Sequence, residues 1–393
     1  MTSTRPERSP PRMSQGPQPT GAVGYFAIGD DRVRHLIDAR QAYPAMLSAL
    51  GQAEREVLLE MYWVGNDAAG LRFRDALVQC ARRGVAVRVI YDAVGSLGLW
   101  PSWWNELRAA GGRVLVYSPV APWRKRFRWA GLFFRDHRKL LVIDDRVGFV
   151  GGINLARPWL DASEGGLNWR DDALELRGPT VAALRTVFAS TWERCDGASL
   201  PGSAATEVSA ATRVWVLANR IGTRANRRIR RAYLLALRRA QRSIDVASSY
   251  FLPGPLFLRA LRTACKRGVR VRVMIPQHSD IWLASLATSH IVERMISDGV
   301  EVYSFGRTML HSKTAIVDER FVTVGSHNLD TLSWRFNLEC NIVVDDPAFA
   351  KSVSTAFEHD LTDAVRLDLK TWQARSVSTR LLAPLASRLR FFL

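Results

Sequence analysis

Long apolar runs and paired cysteines are both missing from this 393-residue sequence. No apolar stretch reaches the ~18 residues that a membrane-spanning helix requires. The N-terminal residues 1–22 are rich in Pro, Ser and Arg and contain no apolar core, which predicts a disordered tail and not a signal peptide. The four cysteines form no Cys-x-x-Cys pair, so they are interpreted as reduced core thiols in a cytosol-facing protein. They are Cys80, Cys195, Cys265 and Cys340.

Acidic residues are also scarce. The chain has 37 Asp and Glu against 55 Lys and Arg, a formal net charge of +18. Such a field attracts phosphate, either in nucleic acid or on an anionic membrane surface, although genome composition and solubility also favour arginine. The apolar share of 47% is enough for a full core. The length suggests roughly two domains.

The two halves of the chain repeat one order of elements. "EREVLLEMYWV", "LRFRDALVQCARRG" and "VAVRVIYD" predict a strand, a helix and a strand, and "RSIDVASSYFL", "PLFLRALRTACKRG" and "VRVRVMIP" repeat that order. We therefore predict an internally duplicated α/β protein with two mixed, mostly parallel sheets flanked by helices. The predicted divisions are a first domain at 23–195, a linker at 196–212, a second domain at 213–365 and a C-terminal segment at 366–393.

One polar pattern occurs in both halves, as "DHRKLLVIDD" from Asp136 and "LHSKTAIVDE" from Leu310. In a strand, side chains alternate between faces, so the His and Lys of each copy share one face and the Asp opposes them. We expect each Asp to have a structural role, tying its strand to neighbouring backbone or to a basic side chain. The residues are His137, Lys139 and Asp144 in the first copy and His311, Lys313 and Asp318 in the second.

Each copy continues to an asparagine at matched spacing, Asn154 after Gly-Gly-Ile and Asn328 after Gly-Ser-His. These amides, together with the Ser326 hydroxyl, could donate hydrogen bonds to phosphate oxygens. Each half thus offers one imidazole, one ammonium and one amide. His327 has Ile153 as its counterpart in the first copy, so we do not expect it to be catalytic. The remaining histidines have no such context; they are His35, His278, His290 and His359.

The duplicated pattern HxKxxxxDxxxxxxG[GS]xN resembles the phospholipase D superfamily, whose paired motifs meet in one active site between the halves. The resemblance extends over residues 23–364. It implies a covalent phosphohistidine intermediate, ping-pong transfer, and no metal or other cofactor. One imidazole attacks phosphorus and the other protonates the leaving alkoxide. The resemblance favours His137 as nucleophile and His311 as acid and base, a choice that the symmetry of the sequence does not decide.

The same resemblance implies a carboxylate downstream of each motif that orients an imidazole through its second nitrogen. "NWRDDALELRGP" supplies Asp171, with Asp172 as the alternative, and "RFNLECNIVV" supplies Glu339. The competing interpretation is that these are carboxylates at the surface or at a strand end.

Within the superfamily, "FRDHRKLLVIDDRVGFVGGINL" and "TVGSHNLDTLSWRFNLECNIVVDD" resemble bacterial cardiolipin synthases. That family transfers a phosphatidyl group between phospholipids, typically to phosphatidylglycerol, and releases glycerol. Its commonest members carry two N-terminal membrane helices, which are missing here. The sequence is more similar to the shorter type, which implies peripheral attachment to the cytoplasmic side of the cell membrane. The donor lipid and the oligomeric state stay open.

Three basic or amphipathic segments are candidates for contact with an anionic membrane surface: "PWRKRFRWAGLFF" at 122–134, the arginine-dense 220–242, and "SVSTRLLAPLASRLRFFL" at 376–393. Their alternatives are a surface loop, the solvated face of a helix, and a segment packed on the body. Two rival functions are a phospholipase D with water as acceptor and a nuclease of the same fold. The flanks of both motifs favour phospholipid over nucleic acid.

Overall fold

The computed structural model describes residues 24–120, 129, 134–196, 198–200, 212–219, 228–278 and 282–373. Several predicted segments therefore lie wholly or mainly outside the described residues. They are the N-terminal tail, most of 122–134, most of the linker, the first part of 220–242, and 374–393.

Two eight-stranded sheets form the framework, one from each half of the chain. The first sheet comprises β1 (Phe26–Ile28), β2 (Asp31–Ile37), β3 (Glu56–Met61), β4 (Ala86–Asp92), β5 (Arg113–Tyr117), β6 (Lys139–Ile143), β7 (Val147–Gly151) and β8 (Asp172–Arg177). The second comprises β9 (Val214–Ala218), β10 (Ser243–Ser248), β11 (Arg270–Pro276), β12 (Glu301–Phe305), β13 (Lys313–Val317), β14 (Phe321–Gly325), β15 (Cys340–Asp345) and β16 (Ala364–Arg366).

Both sheets are mixed, and they share one arrangement. The spatial orders are β1-β2-β8-β7-β6-β3-β4-β5 and β16-β12-β11-β10-β13-β14-β15-β9. Parallel pairing is confined to β3-β4-β5 and β10-β11-β12, and the other neighbours are antiparallel. Parallel pairs are therefore the minority, contrary to the expectation of mostly parallel sheets. A parallel pair needs a crossover helix, whereas the strands that follow each motif are joined by tight turns.

The described helices are α1 (Asp38–Gly51), α2 (Ala68–Arg82), α3 (Asn105–Ala109), α4 (Thr180–Asp196), α5 (Arg228–Arg239), α6 (Pro255–Lys266), α7 (Trp282–Ser297), α8 (Thr331–Arg335), α9 (Pro347–Thr362) and α10 (Leu369–Gln373). Helix α2 begins where Asp67 accepts hydrogen bonds from the backbone N–H groups of Ala69 and Gly70. Helices α2 and α6 are followed by Gly84 and Gly268 with φ of +87° and +84°, as the repeated Arg/Lys-Arg-Gly junctions predict.

Three apolar clusters make up the core. Helices α1, α2 and α3 cover the outer face of the first sheet, and α5, α6 and α7 cover the outer face of the second. The central cluster joins the inner faces of both sheets with α4 and α9, through side chains such as Leu140, Trp192, Val324 and Phe349. The halves therefore share one buried interface, and both motif strands, β6 and β13, contribute to it.

None of the helices in the described part of the chain is both long enough and apolar enough to cross a membrane.

Candidate active site

Each motif strand begins beside a segment of the opposite half. The backbone N–H of His137 donates to the carbonyl of Leu338 at 2.9 Å, and the N–H of Leu338 donates to Arg135 at 2.9 Å. The second half repeats this contact, because the N–H of His311 donates to Arg170 at 2.7 Å. These bridges place the carboxylate downstream of one motif next to the imidazole of the other.

Glu339, from the second half, therefore pairs with His137, from the first. The Nδ1 atom of His137 lies 3.2 Å from Oε2 of Glu339 and 3.1 Å from the carbonyl oxygen of Ser326. Glu339 and Ser326 are completely buried. With Nδ1 donating to these oxygens, the lone pair of His137 is on Nε2 and available for attack.

The contacts of Ser326 differ from those expected of a phosphate-binding residue. Its hydroxyl donates to Oε2 of Glu339 and accepts from the backbone N–H of Cys340 at 3.0 Å. A serine hydroxyl has one proton to donate, and here that proton is used on Glu339. Ser326 therefore holds the carboxylate that pairs with His137 and does not present a donor to a phosphate.

His311 pairs with Asp171 of the first half, at 2.6 Å between Nδ1 and Oδ2. The indole N–H of Trp159 donates to the same oxygen at 2.9 Å. Asp172, the alternative considered from the sequence, instead contacts Nε2 of His35 at 2.7 Å and the guanidinium of Arg170 at 2.8 Å. Asp171 is thus the carboxylate that contacts an imidazole of the motifs.

The two lysines extend beside these imidazoles. Nζ of Lys139 donates to the carbonyl of His137 at 2.7 Å and lies 4.9 Å from the ring centroid of Tyr62. Nζ of Lys313 donates to the hydroxyl of Ser249 at 3.0 Å and to the carbonyl of His311. Burial, with the nearby Lys313 charge, lowers the pKa of Lys139 to about 7 although Glu339 opposes the shift.

The two asparagines are oriented by their amide oxygens. Oδ1 of Asn154 accepts from the backbone N–H of Trp63 at 3.1 Å, and Oδ1 of Asn328 accepts from the hydroxyl of Ser249 at 2.8 Å. Each contact fixes the amide with its NH₂ group as the remaining donor. Both residues are buried beside the motif strands.

The interior of the site combines two buried lysines with two buried carboxylates. Burial, reinforced by the Lys139 charge, lowers the pKa of His137. Burial and the charges of both lysines lower the pKa of His311 further. Burial alone would raise the pKa of Glu339, but the His137 partner outweighs it and the pKa of Glu339 is lowered. The free site thus holds neutral imidazoles between lysines and carboxylates, and an anionic phosphodiester bound beside the lysines would favour protonation of one imidazole.

A family model described as "Cardiolipin synthase, PLD-like domain" matches residues 46–192 and 233–361, which contain both motifs. The chain belongs to this family. Its matched ranges end within α4 and α9, so each match contains one motif strand and the carboxylate downstream of it.

Relatives of this family are similar along most of the chain. The cardiolipin synthase of Geobacillus sp. (strain WCH70) is 32% identical over 374 residues, which is 90% of this chain and 72% of the relative. Cardiolipin synthase B of Escherichia coli (strain K12) is 32% identical over 87% of this chain and 84% of the relative. The major cardiolipin synthase of Bacillus subtilis (strain 168) is 32% identical over 84% of this chain.

The fold is also that of a solved phosphatidylserine synthase from Haemophilus influenzae Rd KW20. The two chains superpose with a TM-score of 0.71 over 94% of this chain and 97% of the other, at 14% sequence identity. The likeness supports the duplicated phospholipase D fold of this family member.

The aspartates of the two motifs bind backbone away from the imidazoles. Asp144 lies past the end of β6, in a turn where its φ is +56°, so strand alternation does not determine its direction. Its carboxylate accepts from the backbone N–H groups of Glu54, Arg55 and Glu56 at 2.8–2.9 Å. Asp318, with φ of +54°, repeats the arrangement on the backbone that leads into β10.

Asp144→Ala is expected to destabilise the fold by about 2–3 kcal/mol, because three backbone amides lose a charged acceptor. In addition, alanine tolerates the left-handed backbone conformation of this position less well than aspartate does. Urea unfolding measures the loss. Asp144→Asn is the matched control and should lose less, since Asn keeps an acceptor oxygen and tolerates positive φ. Unchanged stability in the alanine variant would contradict this structural role.

Among the described residues, the histidines outside the two His-x-Lys pairs make no ring contact with the imidazoles of the motifs. His327 is completely buried against Trp334, with 4.3 Å between ring centroids, and burial lowers its pKa to about 4. His35 is buried against Asp172. His278 and His290 are exposed, and His359 is half-buried on α9. Within the described part of the chain, none of these residues hydrogen-bonds to an imidazole of the motifs.

Sequence reasoning missed the aromatic residues around the imidazoles. The Tyr62 ring lies 4.7 Å from the His137 ring, and the Trp159 and Trp169 rings lie 5.1 and 5.5 Å from the His311 ring. Tyr62 could have been found, because it directly follows the repeated first strand at the position where the second half has Ser249. Trp159 and Trp169 lie outside the repeated pattern, so comparing the two halves of the sequence does not single them out.

The pKa of Lys139 predicts a pH dependence. We expect kcat/KM for an anionic phosphodiester to fall above about pH 7, because Lys139 loses its positive charge above its pKa of about 7. Lys139→Arg is the control, since a guanidinium stays charged and should move the decline to higher pH. A decline at the same pH in the arginine variant would assign it to another group.

Proposed function

We propose that the protein is a cardiolipin synthase that transfers a phosphatidyl group from a phospholipid, with phosphatidylglycerol as the expected donor, to the hydroxyl of a second phosphatidylglycerol. The observation that carries the proposal is the pair of crossed imidazole–carboxylate contacts, His137 with Glu339 and His311 with Asp171, each beside a buried lysine. The family and its named relatives supply the substrate class.

In the first step, Nε2 of His137 attacks phosphorus and the bond to the glycerol oxygen breaks. Protonated His311 donates its proton to that oxygen, and free glycerol leaves. In the second step, neutral His311 takes the proton from a hydroxyl of the acceptor, whose oxygen attacks phosphorus as the bond to His137 breaks. The products are cardiolipin and the original enzyme, so atoms and protons balance.

The remaining proposed active-site residues stabilise negative charge on the phosphate. Lys139 and Lys313 face the phosphate with ammonium groups, and Asn154 and Asn328 offer amide donors to its non-bridging oxygens. Because these groups are buried and fixed before the reaction, they stabilise the charge that grows on the equatorial oxygens at little reorganisation cost. Glu339 and Asp171 hold the imidazoles in one tautomer and stabilise the imidazolium form.

One experiment separates this function from its rivals. The protein is incubated without added metal with phosphatidylglycerol vesicles, and in parallel with single-stranded and duplex DNA. Cardiolipin plus an equal amount of glycerol supports the synthase. Phosphatidic acid as main product indicates a phospholipase D with water as acceptor, and cleaved DNA without lipid turnover would refute a lipid function.

The proposed location is the cytoplasmic surface of the cell membrane, with peripheral attachment. Among the described residues, the outer face of α5 supports this, because Arg228, Arg231, Arg238 and Arg239 are exposed while Ile229, Tyr233 and Leu237 face the core. Each arginine near an anionic surface contributes about 1 kcal/mol of attraction.

Replacing Arg231 and Arg238 with Gln is expected to weaken co-sedimentation with phosphatidylglycerol vesicles about tenfold or more, since about 2 kcal/mol of attraction is removed. Added salt should weaken the wild type in the same direction. Arg146→Gln, an exposed arginine of the first half, is the matched control. Equal binding by the double variant and the wild type would exclude α5 from the membrane contact.

A further inference from the structure

A crevice lined by both polar and apolar side chains lies at the carboxyl ends of the parallel strands β10, β11 and β12. Its volume is about 250 Å³, and its lining includes Ser249, Gln277, Thr288, Ser289 and Ser304. Crevices at the carboxyl ends of parallel strands are the usual ligand sites of open α/β sheets. This one is smaller than the ~300–1,000 Å³ typical of pockets for drug-sized ligands, so it suits a small polar group.

The crevice reaches the phosphate site at Ser249. The hydroxyl of Ser249 lies 3.0 Å from Nζ of Lys313 and 2.8 Å from Oδ1 of Asn328. A group bound in the crevice is therefore next to the lysine and the asparagine of the second half, on the side of the site that carries His311.

The first half has a crevice in the corresponding place, but its character is different. Its volume is about 180 Å³ and its lining is mainly apolar, with Tyr91, Leu97, Leu99 and Val116. The hydroxyl of its serine, Ser96, already donates a hydrogen bond to the carbonyl of Tyr62 and accepts one from the N–H of Val64. Of these two crevices, the second-half one is thus the one that combines several polar side chains with a position next to a motif lysine.

Two positions of the repeat account for this difference. Val116 pairs with Tyr91 in the first sheet and Ser304 pairs with Ile275 in the second, so Ser304 stands where the first half has a valine. Tyr62 and Ser249 also correspond, because their N–H groups donate to Arg138 and Ser312 in equivalent ways. The Tyr62 ring fills the space beside His137, whereas the small Ser249 leaves the second side open.

Polar groups of the crevice remain available. Within the part of the chain that the structure describes, the side chains of Ser304 and Gln277 make no hydrogen bond. Gly306 leaves room for the Gln277 amide, since a β-carbon on Gly306 would lie 2.3 Å from its Oε1 atom. A hydroxyl and an amide, each able to donate and accept, match a ligand with neighbouring hydroxyls.

We propose that this crevice binds the glycerol headgroup of phosphatidylglycerol, first as the leaving group and then as the acceptor. The inference rests on the proposed function, in which His137 attacks phosphorus and His311 handles the alcohol proton. The alcohol oxygen then lies opposite His137, on the side of His311, Lys313 and Ser249. Hydrogen bonds from Ser304 and Gln277 to the free hydroxyls would favour glycerol over a simple alcohol and over water.

The test uses competition between two soluble acceptors. Phosphatidylglycerol vesicles with a fluorescent acyl chain are supplied with isotope-labelled glycerol and 1-propanol, and labelled phosphatidylglycerol and phosphatidylpropanol are quantified. Ser304→Ala combined with Gln277→Leu is expected to lower the selectivity for glycerol, as a ratio of kcat/KM, by about tenfold or more. Transfer to propanol should be retained. Ser304→Ala alone should give a smaller decrease.

The control is Val116→Thr, which adds a hydroxyl to the first-half crevice and should leave the selectivity unchanged. Thermal unfolding midpoints verify that each variant is folded. Unchanged selectivity in the double variant, an equal change in Val116→Thr, or no preference for glycerol in the wild type would overturn the crevice assignment. A wild type that transfers phosphatidyl groups to no alcohol would instead refute the proposed function, on which this inference depends.

Discussion

Replacing His137 with alanine is expected to lower phosphatidyl transfer by about 10⁴-fold or more, as removal of a covalent nucleophile does in well-studied enzymes. The physical reason is that Nε2 of His137 is held with its lone pair free by the contacts of Nδ1 with Glu339 and the Ser326 carbonyl. The rate of cardiolipin formation from phosphatidylglycerol vesicles measures the loss. His290→Ala removes an exposed histidine of α7 and is the matched control.

The same variants decide which histidine is the nucleophile. A p-nitrophenyl phosphodiester has a leaving group that needs no proton, so His311→Ala should still release a burst of nitrophenolate and retain a covalent adduct on His137. His137→Ala should give neither. A burst in His137→Ala that disappears in His311→Ala would reverse the assignment, and bursts in both would contradict the covalent mechanism.

The crossed pairing makes a further distinction possible. Glu339→Gln is expected to slow adduct formation in the His311→Ala background, because Glu339 pairs with His137 and not with His311. In the same His311→Ala background, Asp171→Asn should change little, because Asp171 pairs with the imidazole that this background lacks. Equal effects of the two substitutions would mean that Glu339 acts on the whole site and not through one imidazole.

Arg170→Met is expected to destabilise the protein by about 3–5 kcal/mol, the usual consequence of breaking a buried ionic network by removing one charge. The guanidinium lies 2.8 Å from Asp360, 2.8 Å from Asp172 and 3.7 Å from Asp38, and all four side chains are buried. Asp38 and Asp172 belong to the first half and Asp360 to the second, so the loss would weaken the interface between halves. Urea unfolding measures it.

The loss of stability in Arg170→Met should depend on pH. Burial raises the pKa of Asp38 to about 6 and also raises the pKa of Asp360, although the Arg170 charge opposes both shifts. Without Arg170 these carboxyls bind protons more tightly in the folded protein than in the unfolded chain, so stability rises as pH falls. The loss in Arg170→Met is therefore expected to be smaller at pH 5 than at pH 8.

Two controls accompany this prediction. Arg170→Lys keeps the charge but not the forked geometry, and should lie between the wild type and Arg170→Met. Arg146→Met breaks an exposed ion pair with Glu54 and should cost less than about 1 kcal/mol. If Arg170→Met were no worse than Arg146→Met, the network would not stabilise the interface.

Sequence alone determined the repeat and the residues of the proposed chemistry. The doubled His-x-Lys pattern, the asparagines at matched spacing and the repeated Arg/Lys-Arg-Gly junctions are local features, and local features are visible in one dimension. The same holds for α2, α6, β4 and β11, whose boundaries follow from apolar periodicity and glycine stops.

Only the tertiary structure decided how those features meet. The sheets are mainly antiparallel because the strands that follow each motif are joined by tight turns. The motif aspartates lie in these turns, where strand alternation no longer applies. Asp171 pairs with His311 and Glu339 with His137 because the halves pack face to face and exchange backbone hydrogen bonds near their motifs. His137 and Leu338 are neighbours in space but distant in sequence, and no local pattern encodes such a contact. The difference between Tyr62 and Ser249 likewise acquires meaning only where the fold places each beside an imidazole or a lysine.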